Sequence, residues 1–311
     1  MTVQSWPGPA VAGPLEGVTL PLIALCYAAV YAHRARTLAR RAAPVPAWRI
    51  GCFAIGLILL VVALSPPVDG QAEDLLVAHM VQHLVIADLA ALALVLGLTG
   101  PMLAPLLRVK AIDRLRVLTH PVAAATLWAL DLYLWHTPFL YQAALRHDLV
   151  HAIEHACFLF FGMNLWMPLF GPLPQPPWFG NFARLIYIVA VRLIGTVLAN
   201  VLLWDQVVIY GYYRGAHGIT AVADQSAAGA VMMIEESLLT IGLFCWLFIK
   251  TAREAEERQD LVELAAARGV ELSERRAARA VAAGRGAELR RRVLAEAETS
   301  PSQQPPPEGE T

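Results

Sequence analysis

Charged side chains are scarce in this chain: aspartate, glutamate, lysine and arginine make up 16% of its 311 residues, against 57% hydrophobic residues. A typical soluble domain carries about 25% charged residues. The scarcity is greatest before Lys250, because 11 of the 24 basic residues and 12 of the 25 acidic residues follow Ile249. So few charges cannot cover a water-facing surface. This excludes a soluble globular enzyme and indicates a membrane protein with a charged tail.

Other absences narrow the class further. The net charge of −1 gives no basic surface for binding nucleic acid. The first fifteen residues contain no lysine or arginine, so we expect no secretory signal peptide and a first hydrophobic segment that stays in the membrane. No two cysteines form a C-x-x-C pair, which argues against a disulfide framework and against a thiolate metal site. The four cysteines are Cys26, Cys52, Cys157 and Cys245.

Long hydrophobic runs dominate what is present. Each is close to the 20 or so residues that a membrane-spanning helix needs, so the sequence predicts an all-α polytopic bundle of about seven spans within residues 1–250. Residues 251–299 mix alanine, glutamate and arginine and predict a charged helical tail, and the proline-rich residues 300–311 predict a disordered end. The predicted spans are 15–32, 50–68, 75–98, 117–140, 149–170, 185–204 and 227–249.

The basic residues of the short loops predict the orientation of these spans. Five arginines lie between the first two spans and four basic residues lie between the third and fourth, whereas the intervening loop carries only acidic residues. We therefore expect the N-terminus outside and the C-terminal tail in the cytoplasm. Arginine supplies 22 of the 24 basic residues, a bias typical of GC-rich bacterial genomes, so the expected location is a bacterial plasma membrane.

Seven of the nine histidines fall at or near the predicted outer face, although histidine played no part in assigning the topology. Residues four apart share one face of a helix, and two helices that each present paired imidazoles can build a metal site inside a bundle. Neutral imidazole suits copper, zinc, iron and nickel. A carboxylate at the same mouth can supply an oxygen ligand or orient an imidazole. The predicted ligands are His79, His83, His147, His151, His155 and Asp224.

Three other interpretations remain open from the residues alone. Charges at membrane depth, such as Asp88, Arg192 and Glu235, predict either a structural ion pair or the path of an ion or metal transporter. The run His151-Ala-Ile-Glu-His155 spells H-x-x-E-H, in which a zinc enzyme uses the glutamate as a general base. Facing histidines could also hold a single haem. His136 and His217 taken singly are most simply structural.

Four short motifs lie at 78–83 with 98–101, 134–138 with 141–145, 151–155, and 223–225. Together they resemble the multi-span CtaG family of cytochrome c oxidase assembly factors, which is linked to caa-type oxidases. The resemblance implies a non-enzymatic role in oxidase assembly, with copper supply to an oxidase subunit as the task. It also implies functional roles for five histidines and an acidic residue, here His79, His83, His136, His151, His155 and Asp224. The long charged tail after Lys250 departs from the family pattern.

Overall fold

The computed structural model describes residues 16–299, and all regular structure in that range is helical, without a β-strand. This confirms the all-α prediction. Short 3₁₀ turns separate some of the helices. The helices are α1 (Glu16–Arg40), α2 (Ala47–Ala63), α3 (Pro66–Asp74), α4 (Leu76–Leu84), α5 (Ala91–Gly97), α6 (Gly100–Leu103), α7 (Lys110–Arg114), α8 (Pro121–Trp135), α9 (Pro138–Ala144), α10 (Asp148–Phe170), α11 (Asn181–Trp204), α12 (Ala221–Ala267), α13 (Glu274–Ala282) and α14 (Gly286–Thr299).

Four helices in the described range are long and apolar enough to cross a membrane, and the number rises to six when each of two bent helix pairs counts as one span. Membrane character is therefore clear, while a total of seven spans and the orientation of the termini stay predictions. The predicted first span begins at Leu15, and the predicted disordered end covers 300–311; Leu15 and that end lie outside the described residues.

Two of the predicted spans are not straight helices. The segment predicted over 50–68 bends by 54° between α2 and α3, and the segment predicted over 117–140 bends by 83° just before α8. A helix starts with proline at each break, at Pro66 and at Pro121. The residue before a proline is pushed away from helical backbone angles, so the chain turns before each new helix begins.

The helix that carries the first histidine pair is continuous over Leu76–Gly97 but changes its winding in the middle. A π-helical turn over Val85–Ala90 joins α4 to α5. Helix α10 passes this turn with its backbone in direct contact. A side chain at Gly162 would collide with the Ala87 carbonyl. The absent side chain lets the two helices approach closely, which sets the N-terminal ends of α4 and α10 side by side.

The chain divides into two compact units between Thr240 and Ile241. In the first unit, one buried cluster packs residues of α4, α9, α11 and α12 against two tyrosines of the loop between α11 and α12. In the second unit, the last part of α12 packs against α13 and α14. The second core consists of Leu261, Ala265, Ala277, Val281, Leu289 and Val293.

Candidate metal centre

Four side chains from two helices converge in the first unit. His79 and His83 lie one turn apart on α4, and His151 and Glu154 lie one turn apart on α10. The nitrogen or oxygen atom that each offers lies within 4.8 Å of the other three. His79 is the fourth residue of α4 and His151 is the fourth residue of α10, so the cluster sits at equal depth in both helices.

Two further imidazoles border this cluster. The ring centroid of His155 lies 5.3 Å from that of His83 and 4.2 Å from that of His151. The ring of His136, which follows the last residue of α8, lies 6.5 Å from His83. Five of the nine histidines therefore meet in one place, and His136 belongs with them rather than acting alone.

A tyrosine fixes the tautomer of His79. The Tyr213 hydroxyl donates to the carbonyl oxygen of Ala72 at 2.8 Å. Its single proton is then used, so the contact of 3.1 Å with Nδ1 of His79 requires His79 to be the donor. Nε2 of His79 consequently presents a lone pair toward the cluster. Such a hydrogen bond to the remote nitrogen is what orients metal-bound histidines in proteins.

The neighbouring tautomers follow from the same accounting. Nε2 of His79 and Nε2 of His83 lie 2.8 Å apart, so His83 donates the proton of that hydrogen bond. Nδ1 of His136 lies 2.8 Å from the Leu132 carbonyl and must donate to it, because a carbonyl can only accept. Nε2 of His136 is thereby left with a free lone pair at the edge of the cluster.

Several buried atoms of the cluster lack a hydrogen-bond partner within residues 16–299. They include both carboxylate oxygens of Glu154 and Nε2 of His136, His151 and His155. Buried polar atoms in native proteins are normally satisfied, and a buried carboxylate normally has a cation or donors beside it. Nε2 of His83 lies 3.8 Å from a carboxylate oxygen of Glu154, beyond hydrogen-bond distance. A concentration of unpaired electron-donor atoms around one point fits the binding of a metal cation.

Two predicted ligands lie apart from the cluster. The carboxylate of Asp224 is fully buried, but it accepts hydrogen bonds from the backbone N–H groups of Leu76 at 2.7 Å and Val77 at 2.9 Å. It therefore caps the N-terminus of α4 from a neighbouring helix. His147 is exposed at the N-cap position of α10, one turn before His151.

Sequence reasoning missed the aromatic side of the site. Tyr141 is 1% exposed, its ring stacks on Tyr210 at 4.0 Å and its centroid lies 5.2 Å from that of His79. Tyr141 stood in one of the family-like motifs, which was the only signal for it. Tyr213 had no signal, because it reaches His79 from a loop 134 residues further along the chain.

Acidic residues lie near the N-terminal end of α10, next to the cluster. Asp69 on α3 and Asp148 at the start of α10 interact electrostatically with His151. Burial raises the pKa of Tyr212 in the adjoining loop, and the carboxylate of Glu73 raises it further. A negative potential at this end favours the approach of a cation over that of an anion.

The charges at membrane depth form a separate group. Arg192 and Asp88, both buried, lie 3.6 Å apart, and the guanidinium lies 5.3 Å from the centre of the Trp166 ring. The Glu236 carboxylate accepts a hydrogen bond from Thr196 at 2.7 Å. The contact between Arg192 and Asp88 is the ion pair that the sequence predicted as the structural alternative, and it links the third and sixth predicted spans.

Residues 29–254 match the family described as cytochrome c oxidase caa3 assembly factor (Caa3_CtaG). This range contains all of the cluster and ends close to the start of the charged tail. No curated protein and no solved structure matches the chain. Since the match covers well over half of its residues, the chain belongs to the caa3 cytochrome c oxidase assembly factor family.

Proposed function

We propose that the chain is a bacterial plasma-membrane assembly factor that binds copper as cargo in the histidine cluster and passes it to a cytochrome c oxidase subunit. The observation that carries the proposal is the convergence of His79, His83, His151 and Glu154 within 4.8 Å. His155 is proposed as a further ligand on the same turn of α10. The role is non-catalytic, in keeping with an assembly factor family.

The donor set is suited to an ion that can be transferred, rather than to one that is bound permanently. Neutral imidazoles bind copper well, and a single carboxylate adds one negative charge without the thiolates that would hold copper more tightly. The cysteines of the chain are exposed or half-buried and stand outside the cluster. Copper is also the metal whose supply the family resemblance implies, which favours it over zinc, iron and nickel.

Metal analysis of the detergent-purified chain tests the proposal directly. The wild-type chain is expected to retain stoichiometric copper after exposure to Cu(I) under reducing conditions. The double variant H79A/H83A should lose it, because half of the converging ligand atoms are removed. A matched variant, H33A/H217A, removes two exposed histidines outside the cluster and should bind copper as the wild type does.

Two results would contradict the copper proposal. One is the absence of stoichiometric copper from the folded wild-type chain in either redox state. The other is equal copper loss in H79A/H83A and H33A/H217A, which would mean that the binding is not at the cluster.

Oxidase assembly in the cell supplies an independent test. Deletion of the gene should lower the haem and copper signals of the oxidase in isolated membranes, and the H33A/H217A gene should restore them. H79A/H83A should fail to restore them. If it restores them fully, the family role stands but the cluster does not deliver copper.

A further inference from the structure

The C-terminal unit presents a concentrated basic surface that lies beyond the residues matched by the family. Seven arginines and one glutamate occur between Arg275 and Arg292. All seven arginines are exposed, and among the residues described only Arg292 forms an ion pair, with Glu288. The surface consists of Arg275, Arg276, Arg279, Arg285, Arg290, Arg291 and Arg292, and is called the arginine face below.

The folding of this unit explains why these arginines are outside. The apolar residues of α13 and α14 pack onto Leu261 and Ala265 of α12 and form the core of the unit. Each of these two helices has one apolar stripe, which is buried in that core. The other faces of each helix carry charged side chains. The arginine face is therefore a stable feature of a packed helical unit and not part of an unstructured charge run.

The chain folds back along α12 before α14 begins. Gly269 and Gly284 adopt left-handed backbone angles, with φ of +67° and +66°, and make the turns on either side of α13. Gly286 at the start of α14 lies directly against the Glu257 side chain. The chain that leaves α12 at Ala267 has thus come back by about 15 Å along the helix axis, from ten residues at 1.5 Å each.

This return places the start of α14 close to the apolar part of α12. The apolar run of α12 ends at Ile249, and Glu257 is seven residues after Lys250, about 10 Å along the helix. The headgroup layer extends roughly 5–8 Å beyond the hydrocarbon core on each side. Arg285, directly before Gly286, therefore lies within reach of that layer when its side chain is extended.

We propose that the arginine face docks on anionic lipid headgroups at the membrane surface into which α12 is anchored. Charge complementarity favours an anionic surface. The continuous helix α12 runs from the membrane to this unit, so the lipid surface is its permanent neighbour. Clusters of four to eight arginines or lysines beside a membrane span bind anionic lipids in this way.

Hydrogen exchange of the full-length chain in lipid nanodiscs tests the proposal. Backbone amides in residues 274–299 are expected to exchange at least several-fold more slowly in discs containing phosphatidylglycerol than in discs of phosphatidylcholine alone. The difference should vanish at 0.5 M salt, because an electrostatic contact at the surface is screened. It should also vanish in the variant R279Q/R285Q/R290Q/R291Q.

A matched variant separates this face from general loss of charge. R36Q/R40Q/R41Q/R114Q removes the same number of exposed arginines elsewhere and should keep the lipid-dependent protection of 274–299. Exchange near Leu261 and Ala265 reports whether each variant retains the helical core. If the first variant fails to fold, the comparison of lipids and salt in the wild type still decides.

Four outcomes would overturn the proposal. The first is equal exchange in both lipids, and the second is protection that persists at high salt. The third is protection by inorganic phosphate in phosphatidylcholine discs, which would indicate a phosphate site instead of a membrane surface. The fourth is protection that appears only with two copies per disc, which would indicate pairing of the arginine face with the acidic residues of α12, within 254–263, in a second chain.

Discussion

Tyr213 controls the chemistry of the cluster without being a ligand. Its hydroxyl joins the Ala72 carbonyl to Nδ1 of His79, and so aims the lone pair of Nε2 at the other donor atoms. Because the tyrosine comes from a loop, the tautomer of His79 depends on how the loop between α11 and α12 packs against α4. A change far along the sequence can therefore alter which nitrogen of His79 faces the cluster.

Tyr213→Phe should lower copper affinity by about 10–100-fold, the usual cost of removing a hydrogen bond to the remote nitrogen of a metal-bound histidine. Competition titration with a copper chelator measures this effect. Tyr187→Phe is the matched control, because Tyr187 is also buried and its hydroxyl also donates to a backbone carbonyl, that of Leu165. Equal affinity losses in both variants would show that Tyr213 acts only through stability.

We expect Glu154 to affect the affinity for Cu(II) more than the affinity for Cu(I). Glu154→Gln removes the only carboxylate among the four converging side chains, and oxygen ligands favour harder divalent ions over Cu(I). The expected result is a drop of about tenfold or more in Cu(II) and Zn(II) affinity, with a smaller change for Cu(I). Glu236→Gln, another buried carboxylate, should leave all three affinities unchanged. Equal losses for all ions would contradict a ligand role for Glu154.

Spacing made part of the site predictable from sequence. His79 with His83, and His151 with His155, stand four residues apart, and helical geometry alone puts each pair on one face. Asp224 was also predicted as a ligand, yet its carboxylate accepts hydrogen bonds from the backbone of α4. No spacing rule reveals that use, because the partner atoms are backbone N–H groups about 148 residues away.

At the scale of elements, the N-terminus of α4 is held by a side chain of another helix. The N-cap residue of α4 supplies no side-chain hydrogen bond. The Asp224 carboxylate instead accepts hydrogen bonds from two N–H groups at the start of α4. A negative group at this end also interacts favourably with the helix dipole. The contact fastens the start of α12 to the turn of α4 that carries His79.

Asp224→Ala should therefore destabilise the chain by about 1–2 kcal/mol, the cost of losing a helix cap. A thermal melt in detergent, followed by tryptophan fluorescence, measures the loss. Asp205→Ala is the control, because Asp205 makes a similar contact with the Val207 N–H in an exposed loop and should cost less. Equal melting temperatures for the two variants would mean that the cap on α4 contributes no more than an exposed turn.

The hydrophobic pattern predicted which segments are helical better than it predicted their ends. Runs of apolar residues predicted α10 and α11 nearly as they are, since each forms one unbroken helix. The bends at Pro66 and Pro121 depend on backbone angles next to proline, and a hydropathy average does not register them. At α12 the span predicted over 227–249 and the helical tail predicted from residue 251 join in one continuous helix, Ala221–Ala267.

At the scale of the whole molecule, the cluster and the charged tail belong to different compact units. All side chains of the cluster precede Thr240, and the family match ends at residue 254. The family function and the tail are therefore separable in principle. The composition of the tail predicted helices, but the packing of α13 and α14 into a core required long-range contacts that the sequence alone does not show.

A chain that stops after Glu254 should bind copper with the same stoichiometry and affinity as the full-length chain. The reason is that the truncation removes no ligand and leaves the apolar part of α12 whole. Metal analysis after purification in the same detergent provides the measurement. Loss of copper from a folded truncated chain would show that the second unit supports the cluster.

The shallow position of the cluster has a consequence for any recipient protein. With His79 and His151 each three residues past the first residue of its helix, the foremost imidazoles lie only about 5 Å along the helix from the ends of α4 and α10. Of these two, His79 is 1% exposed and His151 is half-buried, so under the proposed copper role a recipient would make its first contact at His151.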